Sequence, residues 1–186
     1  MTSMGRVIAG MTMSLDGFVE DAEGSSGPLY EDFDVLGRSD YMTSMQDETG
    51  AVLMGRRTFE MGGDPDSWAD EGYEFQVPIF VLTHTPPEKT PKGTDRLSFT
   101  FVTDGLETAV DRAKQAAGDR AVTVVGGADV NRQLLAAGLV DELRVDVMPV
   151  LLGAGLPLFA GVGPHSLEKI GVEEIGVRTS LRFRVT

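Results

Sequence analysis

The chain has 186 residues, a formal net charge of −13 at pH 7, 41% hydrophobic residues and no cysteine. The missing cysteine excludes disulfides, thiolate nucleophiles and thiolate metal sites, so we expect no metal and a cytoplasmic location. The negative charge opposes polyphosphate backbones, which argues against a nucleic-acid partner. The length and balanced composition favour one globular domain, residues 1–186.

Two segments bear on membrane association. The N-terminal segment MTSMGRVIAG lacks the long apolar core of a signal peptide. Residues 147–164 carry no charge, but Pro149, Pro157 and Pro164, together with interspersed glycines, break any helix there. We therefore expect a strand, a glycine-rich loop and a second short strand in this segment, and no membrane contact.

The first half of the chain predicts short apolar strands around one helical segment. The helix is expected within Glu31–Gln46, where Gly37 lowers the helix propensity. The strands are expected at Arg6–Ser14, Ala51–Met54, Pro78–Thr83 and Phe99–Val102.

The next segment predicts helix, strand and helix. Asp104 and Glu107 have the spacing of a capping box, and Gly118 ends the helix that follows them. The strand Ala121–Val125 precedes a glycine pair and a second helix that stops at Gly138. Apolar strands interleaved with helices are typical of a parallel sheet covered on both faces.

Period-two alternation marks the last third of the chain. In ELRVDVMPVL, Arg144 and Asp146 alternate with apolar residues, and VRTSLRFRV (177–185) alternates more regularly. This pattern predicts antiparallel strands whose polar face is solvated or, alternatively, forms a subunit interface. The fold class is thus a three-layer αβα protein with a central, mostly parallel mixed sheet and an antiparallel C-terminal end.

Strand ends followed by glycine and a helix start suggest anion sites. Ligands of open α/β sheets lie beyond the carboxyl ends of the strands, where helix N-termini favour anions. Gly126 and Gly127 in AVTVVGGADVNRQLL would let a pyrophosphate approach the backbone, although a tight packing turn would use them too. The segment VLMGRRTFE repeats the pattern, with Thr58 as a candidate helix cap and Arg56 and Arg57 as phosphate donors.

A third strand end, VLTHTP, adds Thr83 and His84 as donors. Arginines at such a site favour NADPH over NADH, since arginine reads the 2′-phosphate and a carboxylate reads the free hydroxyl. The GxGxxG fingerprint of ordinary Rossmann domains is absent from the sequence.

Five segments together resemble the dihydrofolate reductase superfamily, specifically the reductase domain of the riboflavin-biosynthesis enzyme RibD. They are MTMSLDGFVE, VLMGRRTFE, IFVLT, VTVVGG and MPVLLGAGLPLF, and they span essentially the whole chain. The resemblance implies hydride transfer from NADPH to a small-molecule substrate, in the riboflavin branch a ribosylaminopyrimidine phosphate, by a homodimer. The cofactor-binding residues that it implies are Ala9, Met11, Gly17, Val19, Gly55, Arg56, Arg57, Thr58, Leu82, Thr83, His84, Gly126, Gly127, Ala128, Asp129 and Val130.

The substrate side leaves alternatives open. Ser14 and Asp16 are candidates for positioning the substrate, although Asp16 could equally cap its own Asp-Gly turn. Riboflavin-branch reductases carry a glutamate where this chain has Val125, and a lysine that aligns with Gly10. Dihydrofolate reductases carry a carboxylate on the first helix, for which Asp40 is the candidate by spacing.

The expected substrate lining is poor in basic residues, because Arg38 is the one basic residue between Val7 and Gly55. We therefore expect an uncharged heterocycle or carbonyl compound to be a better substrate than a phosphorylated one. Three functions compete: a RibD-like NADPH-dependent reductase, a dihydrofolate or pterin reductase, and a non-catalytic NADPH-binding module or sensor.

Overall fold

Strands and helices alternate along most of the chain in the computed structural model, which describes residues 5–186. The strands are β1 (Val7–Ala9), β2 (Thr12–Ser14), β3 (Phe18–Glu20), β4 (Thr49–Gly55), β5 (Pro78–Leu82), β6 (Ser98–Val102), β7 (Ala121–Gly126), β8 (Glu142–Met148), β9 (Leu156–Pro157), β10 (Leu167–Ile175) and β11 (Arg178–Val185). The helices are α1 (Phe33–Gly37), α2 (Asp40–Glu48), α3 (Arg56–Glu60), α4 (Ser67–Asp70), α5 (Leu106–Ala117) and α6 (Ala128–Ala136), with a 3₁₀ turn at Gly27–Leu29.

A nine-stranded mixed sheet forms the centre of the molecule. Its order is β10-β11-β8-β1-β7-β4-β5-β6, and β2 also pairs with β8. The pairs on the β1 to β6 side of β8 are parallel, whereas β11 pairs antiparallel with both β8 and β10. Strands β3 and β9 form a separate two-stranded ribbon. The predicted mostly parallel sheet with an antiparallel C-terminal end is confirmed.

The two faces of the sheet are covered by different helices. On one face, Leu53 and Val124 share a core with residues of α5 and α6, among them Val110 and Leu134. On the other face, Met54 packs in a second cluster with Phe59 of α3, flanked by side chains of α2 and α4. Alternate residues of β4 therefore point into two separate cores, which explains why its seven residues are all buried.

The predicted first strand is interrupted at Gly10. This glycine has φ +144°, and a Cβ built on it would lie 1.6 Å from the Arg144 carbonyl oxygen. The Gly10 N–H donates to Asn131 Oδ1 at 2.8 Å. A lysine cannot occupy this position with the same backbone, so the departure of Gly10 from the riboflavin-branch pattern has a local structural cause.

Three local predictions need correction. The helix expected within Glu31–Gln46 is two helices, because Ser39 caps α2 by accepting from the Met42 N–H at 3.1 Å. The capping box at Asp104 does not form: α5 begins at Leu106, so Gly105 is the N-cap residue and makes no side-chain cap. Thr58 is likewise not a cap, since α3 begins at Arg56 and Gly55 precedes it.

The polar face of β8 and β11 is largely buried rather than solvated. Arg144, Asp146, Arg178 and Ser180 are each at most 8% exposed. Burial of these arginines is possible because each one is ion-paired with two carboxylates. The period-two alternation of β8 and β11 therefore places an apolar core on one face of these strands and a buried polar network on the other. Within residues 5–186, no helix combines the length and apolar character needed to cross a membrane.

Candidate active site

A groove of about 720 Å³ runs past the ends of the parallel strands. It brings together residues from β3, α3, α5, α6 and the loop after β5. The predicted cofactor residues that line it are Met11, Val19, Gly55, Arg56, Arg57, Thr58, Leu82, Thr83, His84, Gly127, Ala128, Asp129 and Val130. Residues far apart in sequence thus line one groove, and its lining extends over enough elements to suit an extended ligand.

The glycine pair lies at the end of β7, and its peptide bond is cis. Gly126 has φ +136°, and a Cβ there would lie 2.9 Å from Thr58 Oγ1, so this position requires glycine. Gly127 is different, because the nearest atom to its Cβ would be Thr58 Oγ1 at 3.7 Å. A side chain at Gly127 would instead occupy the groove that this residue lines.

Two helices present uncapped N-termini to the groove. Helices α5 and α6 both follow a glycine N-cap, Gly105 and Gly127, and neither has a side-chain cap. Their free N–H groups and positive dipole ends can bind anions. The α5 end, with Thr103, Gly105 and Leu106, was missed from the sequence. Its signal was the same as at α6, a strand end followed by glycine and a helix.

The two arginines predicted to bind phosphate are already paired with carboxylates. Arg56 donates to Glu60 at 2.6 Å within α3, and Arg57 contacts Glu20 of β3 at 3.3 Å. The Arg57 side chain is 75% exposed and that of Glu20 is 19% exposed. The Arg57–Glu20 pair joins two elements that both line the groove, so an incoming phosphate would compete with Glu20 for Arg57.

Two further polar side chains of the groove, Thr83 and Asp129, form hydrogen bonds with residues close to them in sequence. The Thr83 hydroxyl donates to the Thr85 carbonyl at 2.9 Å, and exposed His84 follows it at the groove wall. Asp129, in the first turn of α6, accepts from Gln133 at 2.6 Å.

Ser14 and Asp16 form a turn that holds a distant loop. The Ser14 hydroxyl donates to Asp16 at 2.6 Å and accepts from the Phe18 N–H. Asp16 also accepts from the N–H groups of Leu152 and Gly153, at 3.1 and 2.7 Å. The Ser14 hydroxyl, aided by these N–H donors, lowers the pKa of the Asp16 carboxyl. Neither Ser14 nor Asp16 lines the groove or either of the two smaller cavities that adjoin it.

Four other predicted residues lie outside the groove. Ala9 lines a neighbouring cavity instead, and Gly126 is buried behind Gly127. Gly17 accepts from the Leu158 N–H, which ties the β3–β9 ribbon together. Asp40 is exposed at the start of α2 and does not line the cavities, whereas its neighbour Tyr41 does.

An adjoining pocket opens from the groove. Cavities of about 250 and 480 Å³ share a wall that contains Phe33, Trp68 and Tyr73. The first cavity and the groove meet at residues that line both, namely Met11, Tyr30, Phe33, Thr58 and Val125. A ligand in the pocket would therefore contact the end of a ligand in the groove.

The floor of this pocket is a buried polar network. Arg178 donates to Asp146 and Thr12, both at 2.9 Å. Tyr41 donates to the other oxygen of Asp146 at 2.8 Å and accepts from Ser180 at 3.1 Å. Burial raises the pKa of the Tyr41 phenol, so it stays protonated. Apart from the alternation, no sequence pattern predicts this network, because its members come from distant segments.

The topology and the groove define a dihydrofolate reductase-like fold. A model of the RibD C-terminal domain matches residues 6–181, and the chain belongs to that family. The chain is 27% identical to the uncharacterized protein YyaP of Bacillus subtilis (strain 168), over 94% of this chain and 88% of YyaP.

Solved structures share the fold at low sequence identity. One is a diaminohydroxyphosphoribosylaminopyrimidine deaminase/5-amino-6-(5-phosphoribosylamino)uracil reductase from Thermotoga maritima, at TM-score 0.71 and 16% identity, covering 98% of this chain and 57% of that chain. Another is dihydrofolate reductase from Enterococcus faecalis complexed with NADP(H), at TM-score 0.60 and 14% identity, covering 100% of this chain and 99% of that chain. The sequence match thus shows the family of this chain, and the solved structures show its fold.

Proposed function

We propose that the protein is an NADPH-dependent reductase that acts on a small heterocyclic substrate. The observation that carries this proposal is the junction at Met11, Thr58 and Val125, where the groove meets the aromatic pocket. A reductase needs its cofactor and its substrate in contact, and a nucleotide-binding module needs no second pocket at that point.

The residues of the groove fit a dinucleotide phosphate. The uncapped ends of α5 and α6 suit two separate phosphate groups, and Gly127 leaves the space that a pyrophosphate would fill. Arg56 and Arg57 would bind the ribose phosphate. When bound, this cofactor supplies a hydride that, with a solvent proton, reduces a C=N or C=O bond by two electrons.

The chain's own residues would act mainly by positioning. Met11, Thr58 and Val125 would separate the reacting groups from bulk water, and Tyr30 and Phe33 would close the side shared by both cavities. The relatives leave two substrate classes in competition, a ribosylaminopyrimidine and a pterin, since the Thermotoga protein is a uracil-derivative reductase and the Enterococcus protein is a dihydrofolate reductase.

The experiment follows NADPH oxidation at 340 nm with dihydrofolate, pterins and the ribosylaminopyrimidine phosphate. We expect turnover of at least one heterocycle, and NADPH binding by calorimetry in its absence. Binding of NADPH without oxidation across the panel favours the non-catalytic module. Absence of NADPH binding in calorimetry contradicts the proposal outright.

We further propose that the protein works as a cytoplasmic homodimer. Strand β10 is the edge of the sheet, and its Leu167, Ile170 and Val172 side chains are at least 40% exposed. Apolar side chains exposed on an edge strand could be covered by another copy of the chain, although the strand also carries Glu168, Lys169, Glu173 and Glu174. Light scattering after size exclusion should give twice the mass of one chain, and a monomer at micromolar concentration would contradict the dimer.

A further inference from the structure

The pocket beside the groove has aromatic walls that are held in place. The Trp68 indole N–H donates to the Phe59 carbonyl at 3.2 Å, and Tyr73 packs edge-to-face on Trp68 with ring centroids 4.8 Å apart. Phe33 and Met42 face the same cavities. Aromatic side chains restrained in this way favour flat, conjugated ligands that stack on them, and the flexible Met42 thioether adds an adaptable apolar contact.

The arginines of the pocket offer no free positive charge. Arg178, whose side chain is fully buried, is held by Asp32 at 2.7 Å and Asp146 at 2.9 Å. Arg144 is held by Glu142 at 2.7 Å and by Glu48. Each guanidinium thus faces two carboxylates, so the floor of the pocket is not a site for an additional anion.

The rim of the pocket adds negative charge. Glu71 and Glu74 line the larger cavity and are exposed. Among the salt bridges formed by residues 5–186, none involves either of them. A phosphate group entering past these carboxylates would meet like charges without a compensating cation.

From the aromatic walls and the acidic lining, we infer that the pocket selects uncharged planar heterocycles and rejects their phosphorylated forms. This inference rests on the proposed function only for the assignment of the pocket as the substrate site. The scarcity of basic residues in the sequence predicts the same preference. In the structure, the two arginines that line the pocket come from β8 and β11, and paired carboxylates neutralise the charge of both.

The test is a binding measurement that needs no turnover. Trp68 is the single tryptophan of the chain, so intrinsic fluorescence reports directly on this pocket. The ligands are matched pairs: uridine and uridine 5′-phosphate, cytidine and cytidine 5′-phosphate, and 6-hydroxymethylpterin and its phosphate. Saturating NADP⁺, whose binding is followed separately by calorimetry, keeps these ligands out of the groove.

We expect the phosphate to raise the dissociation constant about tenfold or more in at least one pair at low ionic strength, which corresponds to a repulsion of about 1.4 kcal/mol. Added salt and the Glu74→Gln substitution should each lower the ratio of the dissociation constants of the phosphorylated and the unphosphorylated ligand. Glu88→Gln, which removes an exposed carboxylate outside the pocket lining, should leave it unchanged.

Equal or tighter binding of the phosphorylated members overturns the inference, as does quenching by none of the six ligands. Either result is distinct from a failure of the proposed function, which would show as absent NADP⁺ binding in calorimetry or as absent NADPH oxidation.

Discussion

Arg178 and Asp32 form a bidentate ion pair, with Nε to Oδ2 at 2.7 Å and Nη2 to Oδ1 at 2.8 Å. The pair joins the start of β11 to the residue that precedes α1. Arg178 also lies over the Tyr30 ring, 5.8 Å from its centroid. Since Tyr30 and Phe33 flank Asp32 and line both the groove and the pocket, this pair holds the wall that the two cavities share.

Asp32→Asn should destabilise the protein strongly, because it leaves the Arg178 guanidinium buried with half of its charge compensation. We expect a loss of about 3 kcal/mol in the free energy of unfolding at pH 7, measured by urea denaturation. The matched control is Asp34→Asn, an exposed residue two positions along the chain in the first turn of α1, which should cost at most about 0.5 kcal/mol. Equal effects of the two substitutions would contradict the role given to the pair.

The contribution of Asp32 should vanish at low pH. The hydrogen bond from Arg178 lowers the pKa of the Asp32 carboxyl in the folded state. A carboxyl whose pKa is lowered by folding stabilises the protein above its unfolded pKa, about 3.9, and loses this effect as pH falls through the folded value. The stability difference between wild type and Asp32→Asn should therefore be constant from pH 7 to about pH 5 and shrink below about pH 4. A difference that grows on acidification would be inconsistent with this linkage.

The sheet and the groove could be predicted because their signals are local. Apolar runs such as AVLM and AVTVV mark buried strands, and glycine between a strand and a helix marks a site at the carboxyl end of the sheet. The same rule applied to residues 103–106 would have found the α5 end of the groove. Asp104 obscured it, because its spacing to Glu107 suggested a cap that Gly105 replaces.

The pocket could not be predicted in the same way. Its polar floor joins Thr12, Tyr41, Asp146 and Arg178, which are separated by up to 166 positions. Period-two alternation shows that Asp146 and Arg178 lie opposite the apolar face of their strands, and it does not distinguish water from a buried partner. Only the packing of α1 and α2 over these strands makes that face an interior one.

The two glycines of the pair should respond differently to substitution. Gly127→Val places branched carbons in the groove, so NADPH binding measured by calorimetry should be lost while circular dichroism and the melting temperature change little. Gly126→Ala should instead lower the melting temperature, because its φ is positive and its Cβ would press on Thr58. Normal NADPH binding by Gly127→Val would show that the pair is only a packing turn.

Arg56 and Arg57 should set the choice of nucleotide. Replacing both with alanine removes charge-assisted bonds to the 2′-phosphate, which are worth about 1.5–3 kcal/mol, so NADPH affinity should fall roughly tenfold to a hundredfold. NADH lacks this phosphate, and its affinity should change much less. Equal dissociation constants of NADPH and NADH for the wild-type protein would contradict this assignment.

Glu20→Gln should tighten NADPH binding, because Glu20 competes with the 2′-phosphate for Arg57. An exposed ion pair of this kind is worth at most about 1 kcal/mol, so we expect the dissociation constant to fall by about threefold. Glu23→Gln, an exposed glutamate outside the groove lining, serves as the charge-matched control and should have a smaller effect. The gain should disappear in an Arg57→Ala background, since no guanidinium is then left to release. A gain that persists there, or one of equal size for NADH, would show that Glu20 acts through the general field of the groove and not through Arg57.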